Sequence, residues 1–489
     1  MNNEDIYDGI TDIRDDLIEG AARKRRTRRR WTSALAAMLA LAVLLGVALR
    51  PDAGSSGMSA SAFALAEAEY PEMPPYPSEE EYIDPISGEW DDKRFEEVYE
   101  PWWESQLARW RNLPEDYGAG LEDFFAAGIR QFLTGGAGEN RVYSPVNVCM
   151  ALSMLAELTE GSSREQILTL LGQDSIQDLR TQAGLLWRAN YCDDGATTSI
   201  LANSLWLNQE VRFVPETMET LAERYYASSY QGEMGSAAFD QALRDWISQQ
   251  TGGLLQEQAA GLRLAPETVL ALASTIYFRA RWSSEFQESR TAPQVFHGPE
   301  GDLTCDFMHQ SGNNTYFWGE RFSAVSVGLD NYGGTMTFLL PDEGVSPEDL
   351  LADGQAMEFL LMDDKWDGWA NRKGLIVNLA MPKFDVSSDL DLISGLQALG
   401  ITEVFDPQVS DFTPMTKEVE GIYVSQAEHA ARVAVDEEGV TAAAYTVMSM
   451  CGAGAPPEEE VDFVLDRPFL FVITGVDGLP LFVGVVNRP

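Results

Sequence analysis

Histidine is nearly missing from this chain, with three in 489 residues, and basic residues are scarce, 34 Lys and Arg against 77 Asp and Glu for a net charge of −43. That balance excludes nucleic acid as a partner, because phosphate would be repelled. It leaves no basic groove for polyanions and favours a soluble monomer kept apart by like charge. The four cysteines, Cys149, Cys192, Cys305 and Cys451, have no metal-like spacing. Neither metal nor cofactor is expected, and three full disulfide pairings stay open. G-x-S-x-G, H-E-x-x-H and a phosphate-cradling glycine loop are all lacking. Ser144 and His429 exist, but nothing around them makes a catalytic motif, so an enzyme is not expected.

The amino end is a module of its own. Residues 1–50 hold nine basic and seven acidic groups, so the rest carries 25 against 70. Seven positive charges fall within Arg23–Arg30, and Trp31–Leu49 follows with no charge at all. Nineteen helical residues span ~28 Å, the thickness of a hydrocarbon core. The basic cluster places residues 1–30 in the cytoplasm, residues 31–49 in the membrane as a single-pass anchor, and the remainder outside. The competing expectation is a cleaved signal peptide with a small-residue site in Ser59–Ala66 and a secreted product. Residues 50–117 combine acids with prolines (Pro71, Pro74, Pro75, Pro77) and tryptophans (Trp90, Trp102, Trp103, Trp110). They read as an extended, semi-rigid stalk, with a short helix after Trp90 that docks on the body or on something at the cell surface.

The main body covers residues 118–489. Leu121–Leu133 has helical periodicity, and Ser144-Pro145 supplies an amino-terminal cap with proline at the first helical position. Ser163–Leu171 and Asp240–Gln250 read as further helices. Strands are expected at Ser199–Leu207, Val269–Phe278, Met336–Leu340, Leu375–Phe384, Val433–Val435, Phe469–Thr474 and Leu481–Val486. Helices first and strands mostly later define an α+β class.

Near the carboxyl end, Glu437-Glu438-Gly439-Val440-Thr441-Ala442-Ala443-Ala444-Tyr445-Thr446 begins a run that reaches Ala455 with no further charge and no proline. Too small to form a core, it can still join a sheet, because no proline removes a ladder donor and no charge must be desolvated. Period-two alternation puts Val440, Ala442, Ala444, Thr446 and Met448 on one face and Thr441, Ala443, Tyr445 and Val447 on the other. The reading is a loop that is exposed first and becomes a strand later.

In chain order, a series of segments resembles the serpins, the serine-protease-inhibitor family. Arg141-Val-Tyr-Ser144-Pro145-Val-Asn147-Val is similar to N-x-F-x-S-P-x-S-I, and Trp246-x4-Thr251-x-Gly253 to W-x4-T-x-G-K-I. Ser274-Thr-Ile-Tyr277-Phe278-Arg-Ala-Arg-Trp282 resembles N-A-I-Y-F-K-G-x-W, and Met381-Pro382-Lys383-Phe384 resembles L-P-K-F. Ser410-Asp411-Phe412 and His429-Ala430-Ala431 resemble A-D-F and H-K-A. The Glu437–Thr446 run resembles E-E-G-T-E-A-A-A-A-T, and Asp466–Phe471 with Leu481-Phe482-x-Gly484 completes the set. The resemblance implies three β-sheets, about eight or nine helices and an exposed reactive-centre loop. It also implies an inhibitor of serine (sometimes cysteine) proteases that acts as a suicide substrate. The protease attacks the loop, forms an acyl-enzyme and is carried off as the freed segment inserts into the main sheet. Fourteen inserted residues would span ~46 Å.

The resemblance also implies residue roles. The cleaved bond lies fourteen residues after the hinge glycine, which gives Ala453-Gly454. Met450-Cys451 and Cys451-Gly452 are alternatives for a shorter loop. With no Arg or Lys between Gly439 and Pro457, elastase-like or subtilisin-like targets are expected. Ser144, Asn147, Ser274 and His429 are implied as a latch where the sheet opens. Trp282, Lys383 and Glu437 mark where insertion begins. Ser274 stands where the family has Asn and Asn147 where it has Ser, so the latch must be rearranged. Val440 replaces Thr, Thr441 an acid and Tyr445 an Ala. A fold of this kind that no longer inhibits and serves as a binding protein at the surface is the alternative function.

Overall fold

The computed structural model describes residues 59–77, 82–83, 90–114, 116–136, 138–329, 333–362, 365–440 and 459–489. The basic leader and the expected anchor, residues 1–49, lie outside them. No helix among the described residues is long and apolar enough to cross a membrane.

Among the described residues, seventeen strands form two hydrogen-bonded networks. In chain order they are β1 (Ala64–Ala66), β2 (Arg141–Tyr143), β3 (Cys192–Asp193), β4 (Thr198–Asn208), β5 (Ala227–Gly232), β6 (Leu270–Arg281), β7 (Ala292–Gly298), β8 (Gly301–Trp318) and β9 (Phe322–Gly328). They continue with β10 (Thr335–Pro341), β11 (Arg372–Pro382), β12 (Phe384–Asp391), β13 (Glu428–Val435), β14 (Gly439–Val440), β15 (Glu460–Val464), β16 (Phe469–Thr474) and β17 (Pro480–Val486). The first network runs β1-β5-β4-β6-β14-β13-β12, with β3 on β4. The second runs β15-β11-β8-β9-β10-β16-β17-β2, with β7 on β8. Its 18-residue strand β8 pairs along most of its length with β7 and β11, and at Tyr316–Trp318 with β9. One long strand thus joins the second and third of the three expected sheets into one ladder.

Helices cover these sheets: α1 (Asp92–Arg111), α2 (Glu122–Leu133), α3 (Pro145–Leu158), α4 (Gly161–Leu170), α5 (Ile176–Asn190), α6 (Pro215–Tyr225) and α7 (Ala237–Gln250). Gly354–Leu361 adds a helix of eight residues. Short helices of four and six residues, such as Gln256–Ala259 and Ile393–Ala398, take the helical segments beyond the eight or nine expected. The class is α+β.

Helix α3 is the centre of the core. Ser144 accepts the Asn147 N–H at 3.3 Å, Pro145 fills the first position, and apolar residues surround the axis. A helix apolar all round has to be enclosed; Val146, Cys149, Met150 and Met154 are fully buried. β16 and β17 are buried at every residue and read as unbroken apolar runs. On β13 the alternation is plain, with His429, Ala431, Val433 and Val435 buried.

Three expectations are corrected. Leu375–Phe384 is two strands: β11 stops at Pro382, which lacks a ladder donor, and β12 starts at Phe384 in the other network. The hairpin β7–β8 was not expected, because its polar residues hide the alternation. Finally, the stretch expected as a stalk packs on the body over much of its length. β1 pairs with β5 and Tyr70 packs against Trp187 and Tyr191, while the helix expected after Trp90 is α1, whose Arg109 donates to the Tyr191 carbonyl.

Candidate functional site: a sheet with a seam

Strand β14, two residues long, defines the site. Val440 pairs antiparallel with Val435 of β13, while Gly439 and Val440 pair antiparallel with Arg281 and Ala280 of β6. Strands β6 and β13 are therefore parallel to each other, and β14 is the one strand both pair with among the described residues. Below β14 the sheet has a seam. Parallel neighbours separated by one antiparallel residue pair form a slot whose walls offer ladder groups to a third strand.

Residues 436–439 turn the chain from β13 into β14. Asp436 Oδ1 accepts the N–H groups of Glu438 (3.0 Å) and Gly439 (3.2 Å), and the Asp436 N–H donates to the Gly439 carbonyl at 3.1 Å. An aspartate that caps its own turn favours this bend. Gly439 is required by close approach. A Cβ there would run into the Ala280 carbonyl and the Arg281 Cα of β6. Val440 is buried, its side chain on the core side of the sheet, which contributes ~1.5–3 kcal/mol.

The mouth of the seam is anchored on three sides. Lys383, between β11 and β12, donates from Nζ to Glu437 Oε2 at 2.6 Å, and Thr291 Oγ1 donates to Glu437 Oε1 at 2.8 Å. Trp282, fully buried just after β6, donates from Nε1 to the Asp436 carbonyl at 2.9 Å and from its backbone N–H to the Glu438 carbonyl at 3.1 Å. Burial alone would raise the Glu437 carboxyl; the bonds from Lys383 and Thr291 outweigh it and hold the group below the ordinary range. The same bond raises the Lys383 ammonium.

Beneath the seam, α3 spans its two walls. The Ser144 N–H donates to His429 Nε2 of β13 at 3.0 Å, so that nitrogen is bare and the proton of the neutral ring sits on Nδ1. Full burial lowers the His429 pKa to about 4. On the other wall, Asn147 Nδ2 donates to the Ser274 carbonyl at 3.3 Å. Ser274 Oγ lies 2.6 Å from Asn147 Oδ1 and 2.8 Å from Asn203 Oδ1 of β4. One hydroxyl proton faces two amide oxygens, so this wall is short of one donor.

All four implied latch residues meet here, and Trp282, Lys383 and Glu437 meet at the mouth. Asp436, Thr291 and Asn203 escaped sequence reading. An Asp ahead of Glu-Glu-Gly was the available signal for the first; the other two are distant polar residues without one. Thr441, Ala442, Ala443, Ala444, Tyr445 and Thr446 lie outside the described residues, as do Met450, Cys451, Gly452, Ala453 and Gly454. Cys149, Cys192 and Cys305 are free thiols, Cys149 fully buried. Among the described residues no group of His, Cys, Asp and Glu side chains could hold a metal.

A mixed sheet with a two-residue strand between parallel neighbours, a glycine turn at its top and a buried polar cluster beneath mark the site. The family profile described as Serpin (serine protease inhibitor) matches residues 120–489, and the chain belongs to that family. Serpin-ZX of Arabidopsis thaliana is 29% identical over 367 residues, 72% of this chain and 92% of that one. Plasminogen activator inhibitor 1 of Bos taurus is 27% identical over 395 residues, 77% of this chain and 94% of its own. The structure of the thermophilic serpin Tengpin in its native state superposes with a TM-score of 0.67 at 23% identity, covering 77% of this chain and 95% of that one.

Proposed function

We propose that this protein inhibits serine endopeptidases as a suicide substrate, with the segment after Val440 as bait. The observation that carries this reading is β14 itself, a strand started between parallel walls and pointed down the seam. Continued in the same register, Ala444 would fall between Ile276 and Ala431, Thr446 between Ser274 and His429, and Met450 opposite Leu270 at the end of β6. The inward residues are then the small or apolar set, and the Thr446 hydroxyl arrives where the latch lacks a donor. Each added ladder bond contributes ~1 kcal/mol net, so the uninserted form is metastable.

The cleaved bond is Ala453-Gly454 on this reading, with a target of small primary pocket, elastase-like or subtilisin-like. With Trp31–Leu49 as an anchor, inhibitor and protease meet outside the cytoplasm. Incubation with pancreatic elastase and with subtilisin tests the proposal. A covalent complex that survives SDS, with release of a peptide beginning at Gly454, is expected. Clean cleavage without a complex would favour the binding-protein alternative and overturn inhibition.

A further inference from the structure

The family profile begins at residue 120, yet the chain before it is folded onto the β5 edge of the same sheet and onto α7. Ala64 and Ala66 of β1 pair with Tyr230 and Ser229, adding an edge strand to β5. Next to them, the one-turn helix Ala60–Phe63 brings the Phe63 ring edge-on to Phe239 of α7, centroids 5.1 Å apart. Further on, the Ala68 N–H donates to Ser228 Oγ at 3.1 Å, and Tyr70 packs against Trp187 at 5.0 Å and Tyr191 at 5.6 Å.

Helix α7 packs on β6 and β4. The apolar cluster it shares with β4 and with Leu255 and Ala259 just beyond the helix has Ala271 and Ala273 of β6 and Ala430 of β13 packed against it. Arg432 of β13 also donates to the Leu254 carbonyl just beyond α7 at 3.2 Å. A new strand between β6 and β13 sends every second side chain to this outer face. The cluster that touches both walls has to open, and α7 with it, before those side chains can enter.

We propose that Ser59–Tyr76 is a strap, held in a groove formed by the β5 edge and Phe239, that slows loop insertion by pinning α7 to the sheet. The strap binds the closed sheet and loses its Phe63–Phe239 contact when α7 lifts, so its binding free energy adds to the barrier. This rests on the reading that the loop inserts. It extends that reading to the chain's own amino-terminal segment as the groove's ligand, an extended peptide with small residues flanking one aromatic anchor.

The test uses the full chain and Phe63→Ala, with Leu65→Ala as control because Leu65 is 53% exposed. Samples are held at a fixed raised temperature, and conversion to a form with a protected loop and higher melting point is followed on native gels. A lost edge-to-face contact raises the conversion rate about two- to tenfold. Phe63→Ala should therefore convert faster than wild type and Leu65→Ala should match it. Phe63→Leu, intermediate in rate, serves if the alanine variant folds poorly. Melting of loop-nicked wild type is measured alongside. If nicking raises its melting point but Phe63→Ala converts at the wild-type rate, the strap proposal fails and the inhibitor reading stands. If nicking does not raise it, both fail.

Discussion

Ser144 donates its backbone N–H to Nε2 of His429, tying the first turn of α3 to β13 at 3.0 Å. The bond needs a neutral ring, and burial lowers the His429 pKa from an ordinary 6.5 to about 4. A depressed histidine pKa means that the unfolded chain takes up the proton first. The stability at stake is fully present above the unfolded value and is lost as pH falls from about 6.5 to about 4, amounting to about 3 kcal/mol. Urea midpoints from pH 8 to pH 4.5 should show this loss in wild type. His429→Gln, whose amide oxygen can accept the same N–H, should show a shallower decline by that amount. Equal slopes would mean the histidine is not held neutral.

Lys383→Ala removes the cation from Glu437 at the mouth of the seam. With the Lys383 side chain 39% exposed, solvent screening limits the ion pair to about 1 kcal/mol. Glu437 has its carboxyl pKa lowered, so this contribution is present above its unfolded value and lost as pH falls through the folded one. Lys383→Ala and Glu437→Gln should each lower the intact protein's melting point by about 1 °C at pH 7. Their effect should vanish near pH 3. An unchanged melting point at pH 7 would show that the hinge is not anchored by this pair.

Much of this site could be read from residue order alone. The Ser144-Pro145 cap, the glycine turn at Gly439 and the inward side chain of Val440 are local patterns, each set by backbone or period-two constraints. The seam itself was not legible. It depends on β6 and β13 lying parallel across the 146 residues between Arg281 and Glu428, which no local period encodes. Asn203 and Thr291 act only through distant partners, and Lys383 was read inside a strand because nothing around it signals that β11 and β12 belong to different sheets. The strap was misjudged for a compositional reason. Prolines and acids suggested an extended stalk, while its few apolar anchors, Phe63 and Tyr70, are too widely spaced to show a period.

Ala444→Arg tests the inward face. In the register set by Val440 the guanidinium would have to lie between Ile276 and Ala431 in the core, at a cost of several kcal/mol. The variant should be cleaved at the normal rate and form no SDS-stable complex, acting as a plain substrate. Full inhibition by Ala444→Arg would place that side chain elsewhere.

The reciprocal exchange of Asn147 and Ser274 relative to the family pattern makes a double-mutant cycle informative. Asn147→Ser and Ser274→Asn each disrupt a packed hydrogen-bonded group and should cost about 1–3 kcal/mol in urea unfolding. The double variant should cost less than the sum by about 1 kcal/mol or more. Strict additivity would mean that the two side chains do not act as a pair.

The most direct measurement compares the melting of intact protein with that of protein nicked once beyond Val440, both fragments retained. A strand that completes the sheet adds on the order of ten ladder bonds at ~1 kcal/mol each, so the nicked form should melt about 10–15 °C higher by the per-residue entropy scaling for a domain of this size. A nicked form that melts at or below the intact temperature would contradict insertion, and with it the whole account.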